Sequence, residues 1–275
     1  MRIAALQLRS SDDPDANAVM VDEMVREAVT GGAEAVFTPE VTNCVSLSRS
    51  RQAERLRTEA EDRTLQTLKA TAAELRTWIH LGSLALVTDG RRFANRGFVL
   101  SPDGEITARY DKIHMFDVQI TPEETFRESD AFAPGSAAVV TDFGTARLGL
   151  SICYDVRFAR LYRDLAKAGA QIISVPAAFS PETGIAHWEV LLRARAIETG
   201  CYVVAAAQSG LHPTEDGRQR RTWGHTMIVS PWGEVIGTRA EEPGILCADI
   251  DLSEVASARK RIPSLSHDRP YTVSS

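Results

Sequence analysis

Little in this chain of 275 residues points to a covalent staple, a membrane or a nucleic acid. The four cysteines, Cys44, Cys153, Cys201 and Cys247, stand far apart, with no C-x-x-C pair and no Cys/His spacing of the zinc kind. That argues against a disulfide framework and a structural metal. No metal and no cofactor is expected, and a reducing, cytoplasmic compartment fits best. No apolar run approaches the roughly 20 residues that cross a bilayer. The apolar stretch at residues 3–8 is too short for a signal peptide and is broken by Gln7. Excess positive charge is missing as well: the net charge is −6, whereas a nucleic-acid partner would want a basic face. Repeats of solenoid spacing and an interdomain linker are also lacking.

What is present is ordinary globular composition, 44% hydrophobic and 25% charged, with length enough for one large α/β domain or two small ones and an ample core. Strand patterns fall at residues 3–8, 35–38, 78–87, 96–100, 105–110, 171–175, 201–207, 227–230, 234–236 and 245–250. Helical spacing falls at 18–28, within 49–76 as one or two amphipathic helices, and at 158–166, 183–200 and 253–261. Ser101-Pro102-Asp103-Gly104 is a strong hairpin signal. Residues 126–136 read as a long loop, of the kind that tends to be functional. The expectation is one domain over 1–262 and a tail, 263–275, lying on the surface or on a partner subunit.

One strand-to-helix junction concentrates the chemistry. Leu148, Leu150 and Ile152 alternate with Gly149, Ser151 and Cys153, so one strand face is bulky and the other small. A thiol at such a turn meets open backbone N–H groups and the positive end of a helix dipole, which predicts a lowered pKa. The alternative is a small buried hydrophobe. Glu40 follows a short strand, at the end where catalytic groups of α/β sheets collect; an ordinary loop glutamate is the alternative. Lys112 leaves a strand beside apolar neighbours, against the commoner reading of a solvated lysine. His114 reads as structural, because no second ligand stands at metal spacing. Residues 149–153 nearly spell a G-x-S-x-G elbow around Ser151, but the final glycine is missing, so a serine hydrolase is the weaker enzyme reading. A silent interaction domain is a further alternative.

Glu40, Lys112 and Cys153 in that order resemble the nitrilase superfamily, the carbon–nitrogen hydrolases. So do the segments 110–117, 149–157, His187-Trp188-Glu189 and 223–234, and the resemblance runs over nearly the whole chain, nearest to the Nit branch. It implies a four-layer α-β-β-α sandwich and a homodimer formed through helices after the cysteine. It also implies a triad: Cys153 attacks an amide to give a thioester, and Glu40, raised in pKa by a dry site, moves the proton. Lys112 and the Tyr154 backbone N–H hold the oxyanion, and Glu128 orients Lys112. The implied substrate is a small linear amide, deaminated glutathione cleaved to 2-oxoglutarate and cysteinylglycine; an ω-amidase acting on α-ketoglutaramate is the alternative. Arg157, four residues after the thiol, is expected to reach the oxo-acid carboxylate, unless it is an ordinary surface arginine opposite Asp155 or Asp164. His187 and Trp188 are expected at the substrate. The loop 211–221, with Arg218, Arg220 and Arg221, is expected to cover a peptide carboxylate. Thr38 departs from the family's usual aliphatic residue before Pro-Glu.

Overall fold

The structure, a computed structural model, describes residues 1–121, 125–215 and 219–274. Side-chain alternation explains its layers. In β1 (Arg2–Gln7), Ile3 and Ala5 enter one apolar cluster while Ala4 and Leu6 enter another. The same parity holds in β2 (Ala35–Phe37), where Ala35 and Phe37 face one way and Val36 the other. A strand apolar on both faces must be covered on both. With β3 (Trp78–Leu86), β4 (Phe93–Leu100), β5 (Ile106–Asp111) and the short β6 (Phe132–Ala133), these strands form one sheet. A second sheet comprises β7 (Val140–Phe143), β8 (Ala146–Leu150), β9 (Ile172–Ser174), β10 (Tyr202–Ala205), β11 (Met227–Val229) and β12 (Val235–Thr238). The chain then returns to the first sheet as β13 (Gly244–Asp249), antiparallel to β1. Strand order is β13-β1-β2-β3-β4-β5, with β6 on β4, and β12-β11-β10-β9-β8-β7.

The inner faces of the two sheets share one core. Phe37 of the first meets Phe143 of the second edge-on at 5.2 Å, and Leu148, Leu150, Ile172 and Val203 complete it. The outer face of the first sheet takes α1 (Pro14–Thr30) and α3 (Arg63–Leu75), through Val21, Val25, Leu65 and Leu68. α1 starts where Asp13 accepts the backbone N–H groups of Asp15 and Ala16, and Pro14 opens its first turn. The outer face of the second sheet takes α4 (Ala159–Lys167) and α5 (Pro181–Thr199). On α5, Gly184, Trp188, Leu192 and Ala196 recur every four residues as one buried ridge. The result is the four-layer α-β-β-α sandwich. Each fully buried Val, Leu or Phe side chain in it contributes about 1.5–3 kcal/mol.

One expectation is met in its second form and one needs correction. The stretch 49–76 is two helices, α2 (Arg49–Arg55) and α3, the second capped by Asp62. The expected loop at 126–136 instead holds structure: Thr125–Arg127 pairs with Asp117–Gln119, a 3-10 turn spans Glu128–Asp130, and β6 follows. Its short alternations were too brief to register as strands. The tail beyond α6 (Ser253–Arg261) forms a 3-10 turn at Ser264–Ser266, and Asp268 beyond it pairs with Arg163 and Lys167 of α4.

Candidate active site

β1, β2 and β3 run parallel in one sheet, and β8, β9 and β10 in the other. Parallel strands collect their carboxyl ends on one rim, and loops leaving those ends meet there. Cys153 stands just beyond β8, opening a 3-10 turn, Cys153–Arg157; the α-helix itself begins only at Ala159. The turn bends through Cys153 with φ +50°, a left-handed backbone that a non-glycine residue adopts at a cost of roughly 1–3 kcal/mol. Its N–H is tied to the carbonyl of Pro176, past β9, at 2.9 Å. The expected lowering of the thiol pKa is not what the site produces. Burial and the neighbouring Glu40 carboxylate push the thiol well above its ordinary value, and Lys112 offsets only part of this. Cys153 rests as a thiol.

Glu40 comes from the loop after β2, and the next residue, Val41, is also left-handed at φ +47°. The loop is held by Val41 N–H donating to Ser83 Oγ at 2.8 Å and by Thr42 Oγ1 donating to the Pro39 carbonyl at 2.8 Å. Thr38, the departure from the family pattern, has a place here. Its hydroxyl, fully buried, accepts the Gly82 N–H at 3.0 Å and sits 2.9 Å from Thr42 Oγ1. Gly82 itself must be glycine: a Cβ there would lie 2.0 Å from the Thr38 carbonyl oxygen and 2.5 Å from Pro176 Cβ. The Glu40 and Pro176 loops meet across that missing side chain.

Glu40 Oε1 accepts from Lys112 Nζ and from Asn95 Nδ2, each at 2.9 Å, and Oε2 accepts the Ala178 N–H at 2.8 Å. The Cys153 thiol lies beside the same carboxylate, close enough that each shifts the titration of the other. Burial alone would raise the Glu40 pKa, as expected from sequence. The Lys112 ammonium outweighs it, and Glu40 is held below the usual glutamate value. Lys112 leaves β5 and is only 2% exposed. Its other contacts go to Glu128 Oε1 and Oε2, both at 2.9 Å. Burial pulls the ammonium down, but Glu128 and Glu40 together raise it above the ordinary lysine value. Glu128 is fixed in turn by the Phe116 N–H at 2.6 Å. At neutral pH the cluster therefore comprises an ionised Glu40, a charged Lys112 and an un-ionised thiol.

Glu40, Lys112, Glu128, Cys153 and Tyr154 line one cavity of about 230 Å³, along with Phe116, Phe179 and three arginines, Arg49, Arg127 and Arg220. Three further expectations are not met there. Arg157 is not in the cavity lining: it lies over the rings of Tyr154 and Phe179 at 5.9 and 5.4 Å and faces His187 Nδ1 at 3.3 Å. His187 is exposed on α5, and Trp188 is buried in the core with its indole N–H on the His225 carbonyl at 2.8 Å. Arg157 was expected there from its spacing of four residues after the thiol, and His187 and Trp188 from the resemblance; Trp188 instead belongs to the buried ridge of α5 and His187 to its exposed side. Of the polar loop, Arg220 reaches the cavity and donates to the Ala178 carbonyl at 2.7 Å, Arg221 pairs outward with Glu241, and Arg218 lies outside the described residues. Ser151 is buried between Tyr162 Oη and the Ser174 carbonyl, at 2.6 and 2.7 Å, with no base beside it. That placement removes the serine-hydrolase reading. Sequence reasoning gave no site role to Asn95, which carries no motif, or to Asp155, although it lies within the segment 149–157. Among the described residues, no group of three His, Cys, Asp or Glu side chains is placed to hold a metal ion.

A rim site joining thiol, carboxylate and ammonium at the strand ends of an α-β-β-α sandwich defines a class, and residues 2–260 match the carbon-nitrogen hydrolase family. The chain belongs to that family and is a hydrolase of non-peptide carbon–nitrogen bonds. Among curated relatives it is similar to a deaminated glutathione amidase from Yersinia enterocolitica, 38% identical over 97% of this chain and 92% of that protein. It is also similar to an omega-amidase from Homo sapiens, 36% identical over 98% and 95% of the two chains. The crystal structure of the C. elegans NitFhit protein superposes with a TM-score of 0.89 at 38% identity; the match covers 98% of this chain but 65% of that one.

Proposed function

We propose that the chain is an amidase that works through a Cys153 thioester, with deaminated glutathione as its substrate. The observation that carries the reading is the Glu40 carboxylate, held ionised by Lys112 while facing the Cys153 thiol. A base and an acid already stand side by side, so no separate thiolate has to be stabilised in a buried site. As sulfur attacks the amide carbon, the thiol proton passes to Glu40 and the carbonyl electron pair moves onto oxygen. The Tyr154 N–H, in the first turn of the 3-10 segment where backbone donors have no partner within the turn, faces that oxyanion. Lys112 joins it: a protonated Glu40 holds the ammonium less tightly, and the new negative charge attracts it. Glu40 then protonates the departing nitrogen, the C–N bond breaks and the thioester remains. Water, deprotonated by Glu40, attacks the thioester; the acid leaves and the thiol is restored.

The substrate reading follows from the walls. Arg49, Arg127 and Arg220 surround the cluster, and guanidinium groups hold carboxylates with directional paired bonds. Deaminated glutathione carries a carboxylate on each side of its scissile amide, whereas α-ketoglutaramate carries one. The similarity to a deaminated glutathione amidase supports the first substrate; the similarity to an omega-amidase keeps the second as the alternative. Comparing kcat/KM on the two amides decides between them. Deaminated glutathione is expected to be the better substrate and to lose more on Arg220→Ala; a clear preference for α-ketoglutaramate replaces this reading with the ω-amidase one. The reading includes a cytoplasmic homodimer with 1–262 as its catalytic unit, no nucleic-acid partner, and a tail, 263–275, on the surface or at the interface. Exposed Ile185, Val190 and Ile197 on the outer face of α5 support the pairing.

A further inference from the structure

We infer that Asp155 is a positioning residue, which sets the separation of Cys153 and Lys112 by gathering donors from both of their segments onto one buried carboxylate. The inference rests on the triad reading above. Asp155 is wholly buried. Its Oδ2 accepts the Ile152 N–H at 2.9 Å and the Tyr110 hydroxyl at 2.7 Å. Its Oδ1 accepts the His114 N–H at 3.0 Å and lies 2.7 Å from His114 Nδ1. Ile152 precedes the nucleophile, while Tyr110 and His114 flank Lys112 by two residues on either side. One carboxylate thus ties the turn carrying the thiol to the strand exit carrying the ammonium.

The position of the carboxylate in its own turn explains how it reaches both. Asp155 is the third residue of the 3-10 segment, from which an acidic side chain reaches back to the N–H of the residue before the turn. That residue, Ile152, is extended, and the left-handed Cys153 follows at once. A strained backbone persists only where its surroundings over-determine it. Here the Ile152 N–H to Asp155 and the Cys153 N–H to Pro176 fix both sides of the bend. His114 adds packing, its ring stacked on Phe158 at 3.5 Å between centroids. The histidine and the aspartate of the two sequence segments therefore meet each other rather than the substrate.

An asparagine cannot replace this carboxylate. Each oxygen takes one backbone N–H, so in either orientation the amide nitrogen faces a backbone donor. Displacement of reacting groups by about 1 Å costs on the order of a hundredfold in rate. The test is steady-state kinetics on deaminated glutathione with Asp155→Asn and Tyr110→Phe, each also combined with Lys112→Ala, together with thermal melting. Asp155→Asn is expected to lower kcat about a hundredfold and Tyr110→Phe about tenfold, with KM changed by less than about threefold. In the Lys112→Ala background each is expected to cost less than about threefold more, because a positioning residue loses its effect when what it positions is gone. Tyr110→Phe, which keeps the buried ring, decides the matter if Asp155→Asn does not fold. A lower melting temperature with unchanged kcat per folded molecule, or equal losses with and without Lys112, overturns the inference and leaves the triad standing. Full activity in Lys112→Ala alone overturns both.

Discussion

In the proposed mechanism Cys153 works as a nucleophile with its base beside it rather than with a lowered pKa. The position of the thiol, at a turn after a strand, was legible from the small-face alternation around Gly149 and Ser151. Its ionisation was not, because the controlling charge, Glu40, lies 113 positions away in the chain, 153 less 40. Two outcomes follow. Alkylation of Cys153 by iodoacetamide is expected to show no step at the ordinary thiol pKa of about 8.5. The acid limb of kcat/KM is expected below the ordinary glutamate value, since activity is lost as Glu40 takes up a proton and Lys112 holds that event to low pH. A thiolate step near pH 8 to 9 contradicts the first. Lys112→Ala is expected to lower kcat about a hundredfold or more. It is also expected to leave Glu40 buried without its cation, so the acid limb moves up in pH. A kcat equal to the parent's contradicts both.

Among the elements, periodicity identified most of the strands and helices that build the layers, β6 and β7 excepted, since each buries a face with a fixed repeat. It could not show how loops from different strands interlock, because those contacts depend on backbone approach rather than on side-chain pattern. Gly82 is an example. It sits within β3 as an unremarked small residue, yet it lets the Thr38 and Pro39 carbonyls and Pro176 come together. Gly82→Ala is expected to destabilise the fold by about 1–3 kcal/mol, as overpacking does. It also displaces the Glu40 loop, so kcat falls in the molecules that remain folded. Calorimetry with kinetics on the same sample checks this, and an unperturbed variant shows that the loops do not meet as described. Arg157 shows the converse failure: its spacing from the thiol was right for a pocket residue, but packing against Tyr154 and Phe179 turned it away.

Across the whole molecule, both sheets bury their inner faces against each other, and two histidines are enclosed. His80 lies between Phe37 and Ser174, and His212 between the Ser10 carbonyl and Thr222. Burial lowers the His80 pKa to about 3 and that of His212 to about 4. The unfolded chain binds these protons near pH 6.5 and the folded one does not. Stability therefore rises with pH across the window and is lost as pH falls from about 6.5 toward 4 and then 3. Each proton contributes about 1.4 kcal/mol per pH unit within it. Denaturant unfolding at pH 7.5, 6 and 5 is expected to show this decline; a flat profile contradicts the enclosure of the two rings.

The central claim, a thioester at Cys153 formed from an oxo-acid amide, is met most directly by trapping the intermediate. Enzyme and deaminated glutathione, mixed and quenched in acid within the first turnovers, are measured by intact and peptide mass. The expected result is a 2-oxoglutaryl adduct on the peptide carrying Cys153, absent from Cys153→Ala, which also releases no cysteinylglycine. Substantial cysteinylglycine release by Cys153→Ala, or an acyl adduct on another residue with Cys153 unmodified, contradicts the claim.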